Sequence, residues 1–296
     1  MKQLLSAVAL TTTIFLGSQS GSADNGTSIP IWPGLAPGES TREVGESMPG
    51  RPDEKPAITR IVKITSPTLD VFLPASDGNG VGVLILPGGG FSKVVPDLEG
   101  SEAAQFLNKV GIAAFVLRYR TTEATSGDRW MRPLQDSQRA MRIIRSNSEK
   151  WKLNPSQIGL LGFSAGGQVA AIHLCDTYPR TYARGDVLDD LSARPDFAML
   201  IYPWNVVDSQ TGQLISPIVV PKNHPPAFII HTHDDRSSSV GSALIYAALR
   251  QLEVPAELHI YQSGGHGYGT RPRPGSDIGT WPDRAVDWLK QRGLAK

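Results

Sequence analysis

The chain has a single cysteine, Cys175, among its 296 residues. No intramolecular disulfide can form, so stability must come from a buried core, and a chain of this length buries one without staples. Cys175 falls in a helix-forming stretch, where a small buried side chain is the expected role, and nothing near it suggests a reactive thiol. An excess of one charge is also missing: 29 basic against 28 acidic residues leave a formal net charge of +1. No basic block appears, nor any interleaving of aromatic with basic residues, so no nucleic-acid partner is expected. Beyond the first residues no apolar run is long enough to cross a bilayer, and no integral membrane association is expected. No internal repeat is present.

What the chain does have begins with a leader. Met1-Lys2 give a positive start, 4–16 form a mostly apolar core, and Gly21-Ser22-Ala23 offer a small-residue cleavage site before Asp24. Residues 1–23 therefore read as a signal peptide, which predicts a secreted or periplasmic protein; an uncleaved anchor is the other reading. Residues 24–56 are rich in Gly, Pro and Ser and read as an extended N-terminal arm. One domain is expected over 57–296. Strands are predicted over 58–62 and 69–73 by alternation, and over 81–86 by a continuous apolar run. Further strands are expected at 112–117, 158–161, 197–201, 227–231 and 256–261. Helices are expected near 102–110, 134–151, 168–175, 242–252 and 284–291. Alternating β and α elements with apolar strands predict an α/β fold with a mostly parallel central sheet and helices on both faces. Sites in such sheets lie beyond the carboxyl ends of the strands.

Four motifs fall at such ends. Gly162-Phe163-Ser164-Ala165-Gly166 sits between an apolar strand and a helix, the arrangement that lifts a serine hydroxyl above the sheet edge for attack on an acyl carbon. A plain Gly-Ser turn is the other reading of those five residues. Leu86-Pro87-Gly88-Gly89-Gly90-Phe91 follows a buried strand, and its glycines leave backbone N–H groups free to face an oxyanion. A phosphate-cradling loop would need a Lys-Ser/Thr ending that is absent. His231-Thr232-His233-Asp234-Asp235 ends another strand and offers two competing acids, Asp234 and Asp235, with Asp208 as an outside candidate. Strand alternation would also put His231 and His233 on one face as a metal pair. Last, Gly264-Gly265-His266-Gly267 places a histidine, the natural base near neutral pH, in a glycine-rich loop. His173, His224 and His259 are weaker candidates, on a helix, in a Pro-rich loop and mid-strand.

Together these motifs resemble the α/β-hydrolase superfamily, and more narrowly its secreted bacterial acetylxylan esterase-like branch, related to esterase/lipase and dienelactone-hydrolase proteins. Leu134-Gln135-Asp136-Ser137-Gln138-Arg139-Ala140, Arg194-Pro195-Asp196-Phe197 and Glu257-Leu258-His259-Ile260-Tyr261 carry the resemblance further, from about Ile31 to the C-terminus. The chain departs from that branch at Gln168, where His is frequent, and at Ser237-Ser238-Ser239, where a Val-Pro-type loop is common. Both departures concern the acceptor pocket. The resemblance implies a serine esterase with Ser164 as nucleophile, His266 as base and Asp235, the second aspartate, as the orienting acid, in the chain order of that fold. Gly89 or Gly90 and Ala165 would hold the oxyanion, and no metal or organic cofactor would be needed. The implied substrate is a short-chain acyl ester, foremost acetyl, on a small molecule or on plant or algal polysaccharide such as acetylated xylan. A serine peptidase, a general short-chain carboxylesterase, a non-catalytic carbohydrate-binding relative and a metal-dependent hydrolase using His231 and His233 stand as alternatives.

Overall fold

The structure is a computed structural model and describes residues 26–75, 77–175 and 178–295. The leader expected at 1–23 lies outside the described residues.

The strands are, in chain order, β1 (Ser28–Pro30), β2 (Val44–Ser47), β3 (Ile61–Ile64), β4 (Thr68–Phe72), β5 (Gly82–Leu86), β6 (Ala113–Arg118), β7 (Ile158–Phe163), β8 (Phe197–Ile201), β9 (Ala227–Thr232) and β10 (Ala256–Tyr261). The helices are α1 (Glu102–Asn108), α2 (Met131–Ser146), α3 (Ser164–His173), α4 (Val240–Gln251) and α5 (Trp281–Gln291). Eight strands form one sheet in the order β1-β4-β6-β5-β7-β8-β9-β10, and β2 pairs with β3 beside it. From β6 to β10 every pairing is parallel, while β4 runs antiparallel to both its neighbours.

The central strands are mostly apolar because both faces are covered. Along β5, Leu84 and Leu86 join one core with residues of α2, α3 and α4, while Val83 and Ile85 join the other with residues of α1 and α5. β7, β8 and β9 alternate in the same way, as the two-residue strand period requires. Gly159 sits in β7 because the Phe197 ring of β8 occupies the space a Cβ would need, 2.3 Å from it.

The N-terminal arm is ordered against this body. β1 extends the sheet at its antiparallel edge, and Ile31 is buried in the core. Trp32 Nε1 donates to the Asp136 carboxylate at 2.9 Å, and Arg139 Nε donates to the Ile31 carbonyl at 3.0 Å. Further on, Arg271 holds the Pro56 carbonyl at 2.9 Å while pairing with Glu102. Several boundaries differ from the sequence expectations. α2 ends at Ser146 because the Asn147 backbone leaves the helical region, and the chain reaches Trp151 through turns. α3 begins at Ser164 itself, and the segment before α1 is a π-helical turn over Asp97–Ser101.

Candidate active site

The nucleophile candidate sits where β7 becomes α3 with no residue between them. Ser164 adopts φ 52°, a left-handed conformation that non-glycine residues avoid and that the surrounding structure must hold in place. The turn is possible because Gly166 has no side chain: a Cβ there would lie 2.1 Å from the Leu86 carbonyl oxygen of β5. Ser164 Oγ is thus presented at the carboxyl end of the sheet, beside the loop that follows β5.

Two loops bring the partners. His266, in the loop after β10, has its Nε2 2.7 Å from Ser164 Oγ. Its Nδ1 lies 2.7 Å from Asp235 Oδ2, in the loop after β9. With the Nδ1–H donated to the carboxylate, Nε2 is left as the acceptor for the serine proton. Burial pushes the Asp235 carboxyl up, but hydrogen bonds from His231, His266 and the Ser237 N–H outweigh that and hold it down to about 2. Asp235 is therefore an anion wherever the imidazole needs one.

Ala165 is the second residue of α3, so its N–H belongs to the first turn and has no intrahelical acceptor. Gly89 and Gly90 lie across from it with φ 131° and 64°. A Cβ on Gly89 would meet the Lys93 carbonyl at 2.1 Å, so the loop folds back on itself only with glycine there. Arg129 fixes the same loop by donating to the Gly90 carbonyl at 2.6 Å. Ser164, Gly89, Gly90 and His266 share one cleft of about 530 Å³. A smaller cavity of about 260 Å³ lies at the opposite ends of β5 and β6, and no triad residue lines it.

This geometry has counterparts. Residues 69–180 match the BD-FAE family. The chain is 32% identical to an acetylxylan esterase of Xylanibacter ruminicola, over 71% of this chain and 44% of that protein, so it spans under half of that relative's length. A solved acetyl ester-xyloside bifunctional hydrolase of Caldicellulosiruptor lactoaceticus superposes with TM-score 0.74 at 28% identity, covering 94% of this chain and all of that one (100%). MGS-M1, an α/β-hydrolase enzyme from a Medee basin deep-sea metagenome library, superposes with TM-score 0.61 at 24% identity, over 79% of this chain and 96% of that one. The chain has the α/β-hydrolase fold and is similar to the acetylxylan esterase-like branch of that superfamily.

In this α/β-hydrolase the triad rests on groups that the sequence reading missed or assigned elsewhere. His231 and His233 do not form a metal pair. His231 ends inside the protein, while His233 lies past the end of β9 in a turn, where strand alternation no longer applies, and is exposed. Among the described residues no group of three His, Cys, Asp or Glu side chains is placed to hold a metal ion. His231 Nδ1 accepts from Ser242 Oγ at 2.8 Å, and its Nε2–H is shared between the Ser237 carbonyl at 2.8 Å and Asp235 Oδ2 at 3.2 Å. Asp235 is thus gripped by two histidines. Asp234 does different work: its carboxylate accepts from the N–H groups of Gly264 at 3.2 Å and Gly265 at 2.9 Å, tying down the loop that carries His266.

Glu99 is the other unforeseen group. It is buried, and its Oε2 accepts from Gly88 N–H at 2.8 Å while Oε1 accepts from the Tyr202 hydroxyl at 2.8 Å. Tyr202 in turn accepts from Gly269 N–H at 2.9 Å and presents its ring edge-on to the His266 imidazole, centroids 5.0 Å apart. One carboxylate thereby links the glycine loop to the histidine loop. Burial pushes the Glu99 carboxyl up, despite the bonds from Tyr202 and Gly88. A lone Glu before a helix carries no sequence signal for this role, since its partners lie far along the chain.

The remaining candidates are engaged elsewhere. Asp208 accepts from the Gln210 and Thr211 N–H groups in an exposed turn. His173 is buried between Ser137 Oγ and the Ala193 carbonyl, and burial pushes its imidazole down to about 4. His224 bonds the Pro225 carbonyl, and His259 pairs with Glu257.

Proposed function

We propose that the protein is a serine esterase that removes short acyl groups, acetyl foremost, from carbohydrate, with xylan-type polysaccharide as the substrate class. The observation that carries this reading is the relay from Ser164 Oγ through His266 to Asp235, two contacts of 2.7 Å each. In the proposed reaction, Ser164 attacks the ester carbonyl as His266 Nε2 takes the hydroxyl proton. The N–H groups of Ala165 and of Gly89 or Gly90 receive the oxyanion, a contribution of about 3 kcal/mol for each well-aligned donor. The tetrahedral adduct collapses as His266 returns the proton to the departing alcohol, leaving the acyl group on Ser164. His266 then deprotonates a water that attacks the acyl-enzyme, and the carboxylic acid leaves with Ser164 restored. Asp235 holds the imidazole tautomer and the charge of the imidazolium throughout.

The acyl preference is supported by the relatives, an acetylxylan esterase and an acetyl ester-xyloside bifunctional hydrolase. It is also supported by the connection between α3 and β8, over 174–196, whose regular structure among the described residues is one 3-10 turn, Val187–Asp190. Trp204, beside Ser164 in the cleft, offers an aromatic face to a sugar ring. The leader at 1–23 supports export to the periplasm or beyond. The test is a panel of 4-nitrophenyl esters and acetylated polysaccharides with purified protein and with Ser164→Ala. Acetyl turnover that exceeds octanoyl turnover and vanishes in the variant is expected. Turnover that survives in Ser164→Ala, or that is as fast on octanoyl esters, overturns the mechanism or the acyl preference respectively.

A further inference from the structure

The chain as a whole is almost neutral, at +1. Its active cleft is not. Five cationic side chains line it, Arg51, Arg60, Lys93, Arg236 and Arg273, against two carboxylates, Glu54 and Glu99. Both carboxylates are already committed. Glu54 accepts two bonds from the buried Arg60 guanidinium, at 2.5 and 2.8 Å. Glu99 is held by Tyr202 and the Gly88 N–H. Arg51 keeps only a 3.5 Å contact with Glu54 and is mostly exposed. Among the described residues, no carboxylate lies within ion-pair distance of Lys93, Arg236 or Arg273.

Lys93 is the most telling of these. It is half-buried, and its backbone carbonyl and side-chain stem lie against Gly89 of the oxyanion loop. Burial pushes its ammonium down, and the positive charges of Arg60, Arg51, Arg129 and Arg236 push it further. Like charges gathered at the mouth of a cleft repel one another and cost stability, but they focus a field that draws in anions. An acetyl group is uncharged, so only the alcohol part of the ester can answer this field.

We propose that the cleft takes acyl esters whose carbohydrate part carries an anion, a carboxylate or a sulfate ester, recognised by Lys93, Arg236 and Arg273 beside Ser164. The inference rests on the esterase reading above and names the substrate class of that same site. Three loops supply these cations: the oxyanion loop, the acid loop and the segment after His266. An anion near the scissile ester therefore meets charge from several sides at once. Ser237-Ser238-Ser239 directly follow Arg236, so the loop that departs from the branch pattern is among those that bring a cation to the cleft.

The experiment compares acetate release from three acetylated oligosaccharides of equal length: one neutral, one bearing a uronic acid and one bearing a sulfate. The full chain is used, and a second uronic acid sample is reduced to the neutral sugar. At low salt, kcat/KM for at least one anionic substrate should exceed that for the neutral one by about fivefold to tenfold, the scale of two or three partly exposed charge contacts. The larger ratio identifies which anion the site reads. Reduction of the uronic acid should remove the advantage, and salt at about 0.5 M should shrink it, since screening then acts within a few ångströms. Arg236→Gln and Lys93→Gln should each lower the anionic-to-neutral ratio, mainly through KM. Equal kcat/KM for anionic and neutral acetyl esters, with turnover still dependent on Ser164, overturns this inference and leaves the esterase reading standing. Absence of Ser164-dependent turnover on the neutral ester and on 4-nitrophenyl acetate overturns the esterase reading itself.

Discussion

Asp234 and Asp235 are neighbours with the same side chain, yet the structure gives them separate duties, and substitution should separate them. Asp235→Asn removes the charge that orients His266 and should lower kcat by about 10⁴-fold. Asp234→Asn keeps one oxygen, which can accept from Gly265 at the cost of the longer bond from Gly264, so a loss of less than about tenfold is expected. Kinetics of the two variants on 4-nitrophenyl acetate decide it, and the reverse ranking would remove Asp235 from the relay. His231→Phe fills the same space but frees Asp235 from one of its two histidines. A fall in kcat of about tenfold with KM little changed is expected, consistent with loss of one hydrogen bond to a charged group. An unchanged kcat would show that His266 and the Ser237 N–H suffice to hold Asp235. Ser164→Ala should retain the native circular dichroism spectrum and melt near the parent temperature, because Gly166 rather than the hydroxyl makes the turn possible. Labelling of Ser164 by a serine-directed phosphonate should slow sharply in His266→Ala.

Among the elements, the central strands were the most legible in the sequence. Continuous apolar runs such as 81–86 and 197–201 have few other meanings, and both became buried parallel strands. The chain order Ser164, Asp235, His266 was legible for a related reason, since each residue follows a strand, β7 and β9 within the buried part of the sheet and β10 at its edge. The failures have physical causes too. Ala165-Gly166-Gly167 carries two poor helix formers, so the sequence points to a helix start at Gln168, whereas packing against β5 imposes the helix from Ser164 onward. Residues 58–62 alternate like a strand, but β3 begins only at Ile61, where Ile61 exchanges backbone bonds with Val94 at 2.9 and 2.8 Å. The roles of Glu99 and His231 could not be read, because each depends on partners that only the folded chain brings near. Gly166→Ala tests the elbow as an element. Its methyl group would collide with the Leu86 carbonyl in a sheet that cannot retreat, and a loss of more than about 3 kcal/mol is expected. Urea unfolding of the variant measures it, and a loss below 1 kcal/mol would mean the turn relaxes more easily than its packing implies.

For the whole molecule, Asp235 links the site to acid stability. Its folded-state value of about 2 lies below the ordinary aspartate value of 3.8. A depressed value stabilises the fold above about pH 4, and that contribution is lost as pH falls toward 2. The loss amounts to about 2 kcal/mol across that window. Wild type should therefore lose more melting temperature between pH 5 and pH 3 than Asp235→Asn does. Parallel curves for the two proteins would show that the carboxylate is not held as tightly as its bonds suggest.

Arg51 and Arg60 stand on the cleft wall, between β2 and β3, while Ser164, Asp235 and His266 come later in the chain, past the carboxyl ends of β7, β9 and β10. Part of the cleft's positive charge is thus written in a different part of the chain from the reaction, although Lys93, Arg236 and Arg273 share its loops. Mutation can revise residues 51–60 without disturbing the proton relay, so lineages that inherit this chemistry are free to diverge in diet. Grafting that stretch between homologues is the corresponding route for an engineer: it exchanges preference while the machinery for acyl transfer stays as it was.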